Sequence, residues 1–95
     1  MLLNPLQLEK INIEDLKADF CNMSGSLSFT SKEHGFTIFA SPNYEEDDLV
    51  PVDVTDENHQ QREDFKPFSF KVEGTIEDKT AQYVQAVKAI YFLMI

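Results

Sequence analysis

Residues 68–76 alternate in character along their whole length. Phe68, Phe70, Val72 and Ile76 fall on one face of an extended chain, and Ser69, Lys71, Glu73 and Thr75 on the other. A period of two over nine residues marks a half-buried strand. Pro67 stands at its entry, where a missing N–H does least harm. Upstream, Ser26–Thr30, with Leu27 and Phe29 inward, and Gly35–Ala40, with Phe36, Ile38 and Ala40 inward, read as two arms of a hairpin. Ser31–Gly35 is the turn between them.

Two segments fit both periods. In Ala81–Ile95, Val84, Val87, Tyr91 and Met94 match one face of a helix, which Asp78 or Thr80 would cap. The β-branched and aromatic content, and the short turn Glu77–Thr80 after a strong strand, favour a hairpin partner, so a strand is expected. In Leu6–Phe20, Asn12 would cap a helix carrying Ile13, Leu16 and Phe20 on one face. As a strand, the same segment turns Ile11 and Ile13 to one side and Leu16, Ala18 and Phe20 to the other, and the change of face at Glu14–Asp15 needs a bulge or a strand buried on both sides in turn. The expected fold is mainly β: an antiparallel sheet of about four strands in a single domain spanning 1–95.

Charge is concentrated. The chain carries a formal charge of −9, from seventeen acids against eight bases. Residues 45–64 hold nine of those acids and one base, Arg62, so nearly all the excess sits there. Residues 41–64 therefore read as an acidic, mobile loop between strands, with an acidic docking or DNA-mimicking surface as the functional alternative. The acidity argues against nucleic acid and against an anionic membrane as partners, because both require a Lys/Arg surface. The longest apolar run, Ala89–Ile95, is far short of the ~20 residues a spanning helix needs. With one cysteine, Cys21, and no basic residue before Leu2 and Leu3, a soluble cytoplasmic protein without disulfides is expected.

The catalytic inventory is thin. His34 and His59 are the only histidines, and neither has a second histidine at ligand spacing. Cys21 reads as a small apolar filler rather than a nucleophile. Asp53, Asp56 and Asn58 break the spacing of a calcium loop, and no glycine follows them. Gly25, Gly35 and Gly74 do not cluster around a phosphate. Neither an enzyme nor a bound metal or cofactor is expected.

The run Leu8-Glu9-Lys10-Ile11-Asn12-Ile13-Glu14-Asp15-Leu16-Lys17-Ala18-Asp19-Phe20 resembles the opening of the SecB-like export chaperones. The segment Phe68–Ile76, its turn and Tyr83–Ile95 are similar to that family's central pair of strands. The resemblance implies that Glu14–Phe20 is strand and that the fold is the β part of a SecB-like α+β fold. It also implies that Asp15 and Asp19 match the acids with which the family docks on its motor ATPase. The sequence departs from the family at Lys17, which lies between those acids, and at Gln85 and Ala86, where the family carries an acid on its later strand.

The expected function is a non-enzymatic protein-binding module, a SecB-like holdase for unfolded or partner polypeptides. Asp15 and Asp19 would meet a basic protein surface. Phe36, Ile38, Phe39, Phe68 and Phe70 would line a groove for extended apolar segments. The alternative is a small acidic inhibitor or DNA mimic of phage or mobile-element type, acting through residues 45–64. The six apolar residues Ile90–Ile95 add the expectation of a homo-oligomer, since an uncovered apolar strand is an aggregation hazard.

Overall fold

The computed structural model describes residues 11, 13–20, 27–41 and 48–95. Among the described residues, five strands, β1 (Leu16–Phe20), β2 (Leu27–Ser31), β3 (Phe36–Ala40), β4 (Leu49–Asp56) and β5 (Phe68–Lys71), precede one helix, α1 (Ile76–Met94). The strands form a single sheet in the order β1-β2-β3-β4-β5, and every neighbouring pair is antiparallel. The architecture is therefore mostly β, with one C-terminal helix.

The register sorts the side chains by face. Ala18, Phe29, Ile38 and Val54 stand opposite one another across four strands, and Phe29, Ile38 and Val54 are completely buried. This is the inner face, and α1 lies against it. Thr80, Tyr83, Val84, Val87, Ile90 and Tyr91 are the buried residues of the helix, a spacing of three and four that makes one stripe. The Tyr83 ring packs on Phe29 and the Tyr91 ring on Phe36, with centroids 6.2 Å and 5.9 Å apart. The buried Tyr83 hydroxyl donates to the carbonyl of Ala40. Tyr83 to Tyr91 spans about 12 Å of helix, and Phe36 to Ala40 about 14 Å of strand. The two tyrosines thus hold α1 antiparallel to β3 at both ends of that strand.

The β2–β3 hairpin lies where the alternation placed it. Its turn closes through Gly35 N–H to the Ser31 carbonyl at 3.0 Å, and Gly35 adopts φ +68°, which suits a residue without Cβ. Leu16–Phe20 is strand rather than helix. Cys21 and residues 42–47 lie outside the described residues.

Three expectations are corrected. Ala81–Ile95 is not a strand, because residues up to Met94 continue α1. Thr75 caps this helix: its side chain accepts from Asp78 N–H, and the Asp78 carboxylate accepts from Thr75 N–H at 3.0 Å. The reciprocal cap starts the helix, and the buried stripe outweighs the β-branched content that pointed to a strand. Phe68–Ile76 is not one strand. Its ladder ends at Lys71, Glu73 is clamped by two 2.8 Å bonds with the Gln82 amide, and Gly74 turns the chain at φ +103°. Residues 41–64 are not one loop, because Leu49–Asp56 pairs on both sides as β4. The apolar positions Val50, Val52 and Val54 are buried there, which offsets the cost of ordering an acidic segment.

Candidate functional site

β1 begins at Leu16, and Asp15 precedes it as part of a turn. Strand parity therefore does not relate Asp15 to Asp19. Asp15 Oδ2 accepts from the Ser31 hydroxyl and, at 3.0 Å, from the Tyr91 hydroxyl, while Oδ1 accepts from Glu33 N–H at 3.0 Å. These bonds, with Ser31 and Glu33 foremost and the nearby His34 adding to them, hold the Asp15 carboxyl below its ordinary value of 3.8. Asp15 ties the start of β1 to the β2–β3 turn and to α1. The structure does not bring it together with Asp19, which is exposed on β1.

Asp15, Glu33 and His34 bring their ligand atoms within 4.8 Å of one another. Both Asp15 oxygens already accept hydrogen bonds from the protein, so a cation here would compete with the contacts that seat the helix. Ring packing also holds His34, stacked on Phe36 and edge-on to Tyr91.

The five aromatic and aliphatic residues expected in a client groove separate by burial. Phe36 and Ile38 are 1% and 0% exposed and belong to the core, so neither can touch a partner. They alternate inward on β3, and α1 covers that face. Phe70 packs half-buried against the same core. Phe39 and Phe68 remain, at 37% and 46% exposed. Both line one open groove of about 490 Å³ with Pro51, Asp53, Pro67 and Ser69, at the end of the sheet where β3 finishes and β5 begins. Phe68 also packs on Phe65, with ring centroids 5.9 Å apart.

Phe39 has a second setting that sequence reasoning missed. Asp19 is opposite Ser28, Ser28 opposite Phe39, and Phe39 opposite Asp53. These four form one row across β1 to β4 on the face away from α1. Asp19 and Phe39 are exposed, and Ser28 and Asp53 half-buried. The neighbouring row is Lys17, Thr30, Thr37 and Thr55, in which the Thr30 and Thr37 hydroxyls lie 3.2 Å apart. An apolar ring thus stands between two carboxylates, beside a row of one lysine and three threonines. The signal for this row lay in strand pairing, which no local window contains.

A second cleft of about 260 Å³ lies between the β2–β3 turn and the turn at 56–60, with Lys32, Asp56, Glu57 and His59 among its lining residues. Its charges are mixed, and Asp56 Oδ1 is occupied by Asn58 N–H and Gln60 N–H at 2.8 Å and 3.0 Å. In the acidic stretch, Arg62 pairs with Asp64 and lowers the pKa of that carboxyl.

Among the described residues, no helix is long and apolar enough to cross a membrane. No family model, no curated protein and no solved structure matches the chain.

Proposed function

We propose that this chain is a non-enzymatic protein-binding module, a holdase of SecB-like type. In this reading it accepts extended apolar segments with basic flanks on the solvent face of its sheet. One observation carries the reading: Phe39, among the described residues the largest apolar side chain on the face away from α1, stands in a row with Asp19 and Asp53 and also lines the open groove that Phe68 borders. The two carboxylates favour a basic residue beside the apolar contact, and the net charge of −9 steers such a segment toward the protein. The acidic stretch contributes field to this reading, and Asp53 is its member at the binding face.

Aggregation of a chemically unfolded model client, followed by light scattering, tests the proposal. Equimolar protein is expected to suppress it, and Phe39→Ser with Phe68→Ser to lose most of the suppression. Asp19→Asn with Asp53→Asn should weaken capture of a basic client more than of an acidic one. Unchanged aggregation at equimolar protein would sink the proposal.

A further inference from the structure

β1 is the outermost strand of the sheet, and among the described residues only β2 pairs with it. An edge strand presents unpaired N–H and C=O groups, and proteins usually blunt such edges with proline, a bulge or charge. β1 has neither proline nor bulge, since its five residues pair without interruption from Leu16↔Ser31 to Phe20↔Leu27. Its central residues, Lys17, Ala18 and Asp19, are all exposed. Lys17 and Asp19 point to the same face, one on each side of Ala18.

We propose that two copies of this chain join through β1 in antiparallel register, with the two-fold axis at Ala18. In that register Lys17 of each copy stands directly opposite Asp19 of the other, so two opposite-charge pairs form at cross-strand distance. A register centred on Lys17 sets lysine against lysine, and one centred on Asp19 sets acid against acid. A parallel, in-register pairing puts like beside like. The same two charges that discourage an arbitrary strand therefore select a second β1 in one register. The pairing buries the exposed Ala18 and joins the two sheets into one of ten strands. It is argued without the proposed client binding but shares Asp19 with it, because it draws Lys17 of the second copy up to that carboxylate. Asp53 is left as the unneutralised acid of each row.

The edge is short, and the contact is smaller than the ~800 Å² per partner of a standard stable interface, so the dimer is expected to be weak. Sedimentation equilibrium of the full chain, without client, from about 10 μM to about 1 mM at physiological salt is the test; the salt screens the repulsion between two chains of net negative charge. The wild-type chain is expected to show a monomer–dimer equilibrium. Lys17→Asp, which sets acid against acid, and Asp19→Lys, which sets base against base, should each weaken the dimer about tenfold or more. The double exchange, Lys17→Asp with Asp19→Lys, should restore it. Circular dichroism on each variant checks that it is folded, and both side chains are exposed. Three results would overturn the proposal: a wild-type monomer at every concentration, a dimer indifferent to the single changes, or a folded double exchange that stays monomeric.

Discussion

The Tyr91 hydroxyl donates to Asp15 Oδ2 at 3.0 Å, joining the last turn of α1 to the residue that precedes β1 across 76 positions of sequence. Through Ser31 and Glu33 the same carboxylate also holds the β2–β3 turn. Three separate elements therefore meet on one side chain. Burial first, and then the neighbouring Asp15, raises the Tyr91 phenol above its ordinary 10.0, so it remains a donor across the neutral range.

Acid should loosen this junction. The carboxyl of Asp15 is held below its ordinary value in the folded chain, so its contribution is full above the unfolded value. It is lost as pH falls through the folded one. Thermal unfolding followed from neutral pH down to about pH 3 should show Asp15→Asn less stable than wild type at neutral pH, with the difference shrinking toward the acid end. A constant difference across that range would contradict the assignment.

The two helix tyrosines should differ when their hydroxyls are removed. Tyr83→Phe keeps the ring against Phe29 but strips a buried bond from the Ala40 carbonyl, at a cost of about 1–2 kcal/mol. Tyr91→Phe should cost less, because Asp15 retains its bonds from Ser31 and Glu33. Urea unfolding of both variants would rank them.

The helix start should be sensitive at two adjacent positions. Thr75→Ala removes the cap and should cost about 1 kcal/mol. Gly74→Ala should cost more, about 1–3 kcal/mol. Its new Cβ would lie 2.6 Å from Asp78 Oδ2 and 2.9 Å from Asp78 Cβ, at a φ of +103°. Denaturant midpoints and helical ellipticity measure both, and a neutral Gly74→Ala would refute this geometry.

Neighbouring residues of β3 should behave oppositely. Ile38→Ala leaves a cavity under α1 and should cost about 2–5 kcal/mol. Phe39→Ser, on the open face, should cost under about 1 kcal/mol while impairing client capture. Equal destabilisation by the two would mean that the outer face is covered.

Much of the sheet was legible locally. Leu27, Phe29, Phe36, Ile38 and Ala40 fall on the buried face in strict alternation, and the turn residues before Gly35 mark the hairpin. β4 was hidden because Asp53 and Asp56 dominated the reading of a segment whose valines alternate inward. The helix start was also legible, as Thr75 followed at three residues by Asp78, but the alternation running up to Ile76 masked it. The alternation of Phe36 and Ile38 fits inward strand positions and groove residues alike, and only the first is compatible with α1 packed over them.

The sequence by itself determined which residues share a face of each strand, where the hairpin turns, and where the negative charge is gathered. Each of these depends on side-chain chemistry within a few residues. Only the tertiary structure decided that Ala81–Met94 is helix, since both periods fit the segment and the choice turned on which stripe found a partner surface. It also decided that Asp15 is tied inward while Asp19 stays open, and that Asp19, Phe39 and Asp53 form one row. Register and layer packing bring together residues far apart in the chain, and a period of two says which side chains share a face but not which face is covered.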